Sequence, residues 1–172
     1  MENGAKRITI RISKLSEGVH NYHFTAEPET LGLDGAFHGP VEIEVELDKS
    51  NRQFYLSAEI GTMGDFTCDR CVTEFSRKIE SRFAMLYVHD EHDAGKFPED
   101  EVRLINPNEP ELDLTDDLRQ SVELAVPLKL LCTEECKGLC PRCGANWNER
   151  ACECADETSD ERWNTLKELL KK

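Results

Sequence analysis

The sequence lacks the segments that would place a chain in or across a membrane. No run approaches the roughly 20 consecutive apolar residues that a bilayer-spanning helix needs. The first residues, MENGAKRITIRIS, contain no apolar core of the kind that a secretory signal requires. We therefore expect a soluble, cytoplasmic protein, and in that reducing compartment structural disulfides are rare.

Motifs for nucleotide binding and for hydrolytic chemistry are also missing. The sequence has no P-loop and no glycine-rich dinucleotide motif. All five histidines precede residue 93, so residues 93–172 offer no histidine to activate a serine or cysteine nucleophile. These absences predict a protein without catalytic activity.

Basic residues are few. The 21 lysines and arginines are outnumbered by 35 aspartates and glutamates, which gives a formal net charge of -14. A chain this acidic does not bind nucleic acid through its overall charge. It should prefer basic partners, or contact RNA only through a local patch.

Cysteine, by contrast, is abundant. One C-x-x-C pair, Cys68 and Cys71, lies far upstream of a dense group formed by Cys132, Cys136, Cys140, Cys143, Cys152 and Cys154. In a reducing compartment, thiols at these spacings indicate metal binding before a disulfide framework. An all-thiolate set is typical of a structural Zn²⁺ site, since it leaves no open position for a substrate. An iron–sulfur cluster would use the same ligands and is the second choice.

The spacing allows two divisions of the eight thiols between two ions. The favoured one closes a compact site from Cys140, Cys143, Cys152 and Cys154, and leaves a long-range site of Cys68, Cys71, Cys132 and Cys136. Pro141 and Gly144 favour it, because they suit a tight turn around the first pair. The alternative groups Cys132 and Cys136 with Cys140 and Cys143, and Cys68 and Cys71 with Cys152 and Cys154. Spacing alone does not exclude that alternative.

The first ninety residues have the alternation of half-buried strands. Apolar and polar residues alternate over residues 8–12, 41–47, 54–60 and 75–87. One-sided alternation with short turns predicts an antiparallel sheet, either open or curled toward a barrel. The stretch from Gly18 to Gly39 shows no clear pattern and is not placed.

Helices are predicted on either side of the cysteine-rich segment. One has Leu114, Leu118, Val122 and Ala125 at helical spacing, begins at a capping Asp113 or Thr115, and ends before Pro127. A final helix is predicted by Trp163, Leu166, Leu169 and Leu170. We therefore expect an α+β protein. Residues 1–130 would form an antiparallel β domain with one helix, and residues 131–172 a zinc-ribbon or knuckle module with a C-terminal helix.

Several of the few basic residues lie beside the cysteines. Zinc knuckles present such side chains to RNA, and an exposed tryptophan can stack on a base. The candidate contacts with RNA or a protein partner are Arg70, Lys129, Lys137, Arg142 and Trp147. The plainer interpretation is that these cations offset the charge of the thiolates and of neighbouring glutamates.

Two segments resemble a known protein family. They are FTCDRCVTEFSRKIESRF and DLRQSVELAVPLKLLCTEECKGLCPRCGANWN, the second followed by CECADE and DERWNTLKELL. Both are similar to the YceD-type family of large ribosomal RNA subunit accumulation proteins, over about residues 40 to 170. The resemblance implies a non-enzymatic role in accumulation or processing of 23S ribosomal RNA and in assembly of the large (50S) subunit. The family's motif carries over onto all eight cysteines.

Three functions therefore compete. The leading one is a zinc-stabilised ribosome-biogenesis factor that acts with the large-subunit precursor, a basic ribosomal protein or an assembly factor. A zinc-dependent protein-interaction adaptor unrelated to ribosomes would also suit the acidic composition. A thiol-redox enzyme is disfavoured, because a catalytic C-x-x-C begins a helix, whereas Cys68 and Cys71 fall between two predicted strands.

Overall fold

A five-stranded sheet forms the centre of the fold in the computed structural model, which describes residues 7–51, 53–99 and 101–154. Its strands are β2 (Gly18–Ala26), β3 (Phe37–Lys49), β4 (Gln53–Thr67), β5 (Glu74–Val88) and β6 (Val102–Leu104). Strands β2 to β5 pair antiparallel in chain order, and β6 pairs parallel with the end of β5. A second sheet joins β1 (Thr9–Arg11) to β7 (Glu111–Asp113).

Three helices lie within the described residues: α1 (Pro28–Leu31), α2 (Glu91–Ala94) and α3 (Thr115–Ala125). None of them is long and apolar enough to cross a membrane. At the start of α3, a carboxylate oxygen of Asp113 accepts hydrogen bonds from the N–H and the hydroxyl of Thr115, at 3.0 and 2.7 Å. The helix ends two residues before Pro127, which has no N–H to continue it.

The core lies against one face of the large sheet. Strand periodicity turns alternate side chains of β3 inward, and Val41, Ile43, Val45 and Leu47 are almost completely buried. Leu114 and Leu118, at the start of α3, are fully buried in the same cluster. Glu42, Glu44 and Glu46 alternate with the buried residues and are exposed, so the outer face of β3 is acidic.

The α+β class is confirmed, and the four predicted alternating stretches correspond to β1, β3, β4 and β5. Of the two predicted forms of the sheet, the open one is found, and the alternative that curls into a closed barrel is wrong. Strand β6 has three residues and joins only β5, so the sheet of the described residues ends there and stays open. The predicted C-terminal helix falls outside the described residues.

A strand and a helical turn, β2 and α1, occupy the stretch that showed no clear pattern. Strand β2 escaped prediction because it lies at the edge of the sheet, where burial is incomplete on both faces. Its half-buried positions include His20, and the apolar Val19 is exposed. The alternation that marks a strand is therefore weak in this segment.

A buried carboxylate ties α3 to the sheet. Asp117 is 8% exposed and accepts two hydrogen bonds from the guanidinium of Arg103 on β6, each of 2.7 Å. A two-pronged pair of this kind fixes direction as well as distance. It therefore sets the orientation of α3, which leads into the segment with Cys132 and Cys136.

Replacing Arg103 with methionine should lower the free energy of unfolding by about 1–3 kcal/mol, because the carboxylate of Asp117 stays buried without its partner. Urea unfolding followed by circular dichroism measures the change. Arg119→Met is the matched control, since Arg119 pairs with the exposed carboxylates of Asp116 and Glu123, and such pairs contribute about 0–1 kcal/mol. Equal losses in the two variants would contradict a special role for the buried pair.

Candidate metal centres

The first thiol group joins the sheet to the segment after α3. Cys68 and Cys71 lie in the turn between β4 and β5, while Cys132 and Cys136 follow α3. All four Sγ atoms lie within 4.8 Å of one another. Cys68, Cys71 and Cys136 are at most 5% exposed, and apolar side chains pack around them. The group is therefore shielded from solvent.

Two backbone hydrogen bonds close the turn that holds Cys68 and Cys71. The N–H of Cys68 donates to the carbonyl of Thr73, and the N–H of Val72 donates to the carbonyl of Cys68, both at 2.9 Å. Val72 has a φ of 58°, a left-handed conformation that β-branched residues rarely adopt. Backbone strain of this kind costs about 1–3 kcal/mol and persists where the surroundings impose it.

The second thiol group is more local and more exposed. It comprises Cys140, Cys143, Cys152 and Cys154, whose Sγ atoms also lie within 4.8 Å of one another. Its first turn repeats the backbone hydrogen bonds of the other group. The backbone N–H of Cys140 donates to the carbonyl of Ala145 at 2.8 Å, and the N–H of Gly144 donates to the carbonyl of Cys140 at 2.9 Å. Gly144 has a φ of 71°, which glycine adopts without strain.

The two groups correspond to the first of the two divisions that the spacing allowed. Packing of α3 against the sheet brings Cys136 to Cys68 across 68 residues and Cys132 to Cys71 across 61 residues. Cys132 and Cys136 are therefore not grouped with Cys140 and Cys143. Local spacing could not show this, because it contains no information on long-range packing.

The sulfur positions fit a tetrahedral thiolate site. Four thiolates at about 2.3 Å from a Zn²⁺ ion would lie about 3.8 Å apart. The Sγ atoms of Cys68 and Cys136 are 3.7 Å apart, and those of Cys71 and Cys132 are 3.6 Å apart. All eight cysteines are free thiols, whereas a disulfide would bring two sulfurs to about 2.05 Å. The first group could therefore hold a metal ion.

The thiols of the first group differ in acidity. Burial raises the pKa of Cys68, but the backbone amides of Cys132, Cys71 and Arg70 outweigh it and lower that pKa to about 6. The hydroxyl and backbone amide of Thr73 lower the pKa of Cys71. Burial and the neighbouring thiols raise the pKa of Cys132 to about 12.

The second group repeats this division. The backbone amides of Cys143 and Arg142 lower the pKa of Cys140 to about 6. The thiol of Cys143, together with burial, raises the pKa of Cys154 to about 12. Four thiols this close resist complete ionisation on their own, and a divalent cation is the species that would favour it.

Two N–H donors beside the sulfurs were not foreseen. The side-chain amide of Asn148 donates to Cys136 Sγ, and the indole N–H of Trp147 donates to Cys152 Sγ, each at 3.3 Å. Donors of this kind orient thiolates and disperse their charge. Sequence spacing does not reveal them, since neither residue belongs to a ligand motif.

A close backbone contact connects the two groups. The N–H of Leu139 donates to the carbonyl of Arg70 at 3.2 Å. Gly138 has a φ of 80°, and a Cβ atom there would lie 3.0 Å from the same carbonyl oxygen. The guanidinium of Arg70 donates to the carbonyl of Cys136 at 2.7 Å. The segment that leads into the second group therefore lies directly against the turn of the first.

The predicted partner-contact residues lie at different places around the groups. Arg70 is engaged by the carbonyl of Cys136, and the amide of Arg142 lies against Cys140. Lys129 and Lys137 are exposed. Trp147 is 37% exposed although its indole N–H is bonded to Cys152.

A family comparison covers both thiol groups. The sequence profile described as large ribosomal RNA subunit accumulation protein YceD matches residues 56–170, more than half of the chain. The chain belongs to the YceD family. The resemblance expected from the two sequence segments is thus confirmed.

Two curated relatives of this YceD-family protein are both described as large ribosomal RNA subunit accumulation protein YCED homolog 1, chloroplastic. The one from Arabidopsis thaliana is 28% identical over 155 residues, 76% of this chain and 48% of the relative. The one from Zea mays is 28% identical over 142 residues, 67% of this chain and 48% of the relative. The chain spans about half the length of these relatives. No solved structure matches it significantly.

Replacing Val72 with glycine should stabilise this YceD-family protein by about 1 kcal/mol, because glycine removes the left-handed strain of an L-residue. Val72 is 64% exposed, so little burial is lost. Gly144→Ala, at the equivalent position of the second turn, should instead destabilise by about 1–2 kcal/mol. Urea unfolding of both variants measures the two changes in the free energy of unfolding. Destabilisation by Val72→Gly would show that the backbone of Val72 is not strained.

Proposed function

We propose that this YceD-family protein is a ribosome-biogenesis factor that supports accumulation and processing of 23S ribosomal RNA and assembly of the large (50S) subunit. The observation that carries the proposal is the family match across residues 56–170. The names of the curated relatives support it. The protein would act without catalysis of its own, since a four-thiolate metal site leaves no open position for a substrate.

Zinc would stabilise the fold at both thiol groups. One Zn²⁺ ion would bind Cys68, Cys71, Cys132 and Cys136, and another would bind Cys140, Cys143, Cys152 and Cys154. The sulfur spacing of the first group supports this assignment, and an iron–sulfur cluster is the alternative occupant. The first ion would join a β domain of residues 1–130 to a cysteine-rich module of residues 131–172.

The partner would be the large-subunit precursor, through a basic ribosomal protein or an assembly factor, with RNA contacted only locally. The net charge of -14 supports a basic protein partner. The site of action would be the cytoplasm. The acidic outer face of β3 also suits a second candidate, a zinc-dependent adaptor for basic proteins unrelated to ribosomes.

Native mass spectrometry of protein expressed without added zinc should show two Zn²⁺ ions. Cys71→Ser and Cys143→Ser should each reduce the count to one, because each removes one ligand from a different group. His92→Ala, outside both groups, serves as the control and should retain two. Loss of both ions from Cys71→Ser would refute two independent sites.

Deleting the gene should lower mature 23S ribosomal RNA relative to 16S and raise its precursor, with fewer 50S particles on sucrose gradients. A plasmid-borne wild-type copy should restore all three. Northern blotting and gradient profiles measure the outcome. Unchanged 23S levels, combined with co-purification of non-ribosomal basic proteins, would favour the adaptor instead.

A further inference from the structure

We infer that the surface beside the second thiol group binds single-stranded RNA, with Trp147 stacked on an unpaired base and Lys137 and Arg150 on the flanking phosphates. We call this surface the Trp147 groove. It is a shallow depression of about 670 Å³ that includes these three residues and lies against Cys152 and Cys154. The inference rests on the proposed function only for the source of the ligand, ribosomal RNA.

Trp147 is held firmly although it is 37% exposed. Its backbone N–H donates to the carbonyl of Gly138 at 2.9 Å, and its indole N–H donates to Cys152 Sγ at 3.3 Å. A ring that is already fixed loses little conformational entropy when a ligand packs on it. Stacking of a base on such a ring contributes about 1–3 kcal/mol.

The neighbouring residue strengthens this arrangement. The side-chain oxygen of Asn148 accepts a hydrogen bond from the N–H of Lys137 at 2.8 Å, and its amide donates to Cys136 Sγ at 3.3 Å. The backbone of Lys137 is therefore fixed beside the turn that carries Trp147. The backbone positions of Trp147 and Lys137 are therefore fixed relative to each other.

Lys137 and Arg150 are exposed cations whose side chains have no ion pair within residues 7–51, 53–99 and 101–154. Exposed cations without an ion pair also occur elsewhere in the described residues, as at Lys14 and Arg77, but those two do not line this depression. Glu149 also lines the groove and keeps its negative charge, and one of its carboxylate oxygens accepts a hydrogen bond from the side-chain amide of Asn146 at 3.0 Å. Two cations without an ion pair within the described residues therefore line the same depression as Trp147, on a chain with a net charge of -14.

Compensation of thiolate charge would explain the cations but not the exposed ring that lines the same depression. An aromatic platform together with cations is the combination that single-stranded nucleic acid requires, since stacking needs an unpaired base. A duplex offers no such base. Two phosphate contacts on a single strand predict a slope of about -1.4 for log affinity against log salt concentration.

Fluorescence of the zinc-loaded full chain tests the stacking. In a Trp163→Phe background Trp147 is the remaining tryptophan, and a ten-nucleotide single-stranded RNA should quench it saturably. A blunt RNA duplex of the same sequence should not. The inference is overturned if the single strand fails to quench, if the duplex quenches equally, or if only an oligoarginine peptide quenches.

Fluorescence anisotropy of labelled single-stranded RNA tests the residues. Trp147→Ala should weaken binding about 5- to 150-fold, the equivalent of the stacking contribution. Trp147→Phe should keep most of the affinity, because it retains the ring and loses only the N–H to Cys152. The double variant Lys137→Glu/Arg150→Glu should abolish the salt dependence. Lys14→Glu, which changes another exposed cation on the β1–β2 connection, should have no effect.

Metal content separates loss of the site from loss of the fold. Each variant should hold as many ions as the wild type by native mass spectrometry. A Trp147→Ala protein with full metal content and unchanged RNA affinity overturns the inference but leaves the proposed function standing. Normal 23S ribosomal RNA after gene deletion overturns the proposed function. The fluorescence measurements test RNA binding at the Trp147 groove independently of that result.

Discussion

Packing of α3 against the sheet is the constraint on which the rest of the structure depends, because it brings together four sulfurs from two distant parts of the chain. The sheet presents Cys68 and Cys71 at the turn between β4 and β5, and α3 delivers Cys132 and Cys136 to the same place. Helix α3 can do so because its own face is buried in the core and because Arg103 holds Asp117. The fold therefore assembles the first thiol group from pieces that have no local reason to meet.

Sequence patterns predicted the parts of this fold that depend on local periodicity. Strands β3 and β5 and helix α3 were found because one face of each is regularly apolar. The sequence patterns failed to predict β2, because its position at the edge of the sheet weakens the alternation. They also failed to predict whether the sheet closes, because closure depends on how the last strand pairs. Cysteine identity marked both thiol groups, but only long-range packing could pair Cys136 with Cys68. The donors Asn148 and Trp147 belong to no motif at all.

Charge is distributed unevenly over the described surface. The outer face of β3 presents Glu42, Glu44 and Glu46, whereas unpaired cations lie with an exposed aromatic ring near the second thiol group. Under the proposed function, the acidic outer face of β3 would be repelled by phosphates and attracted by basic proteins, so the molecule would approach a ribosomal precursor in a preferred orientation. This separation reconciles an acidic chain with a family named for ribosomal RNA.

The two thiol groups also differ in the length of chain that each must close. Cys68 and Cys136 are 68 residues apart, whereas the second group is contained within one short segment. Loop-closure entropy rises by about 0.6 kcal/mol for each doubling of loop length, and contacts of long range form slowly. The second group can therefore form from local contacts alone. The first group can form only after the sheet has folded and α3 has packed against it. Closure of the first group would then be a late event in folding, and its completion would report that the whole protein is assembled.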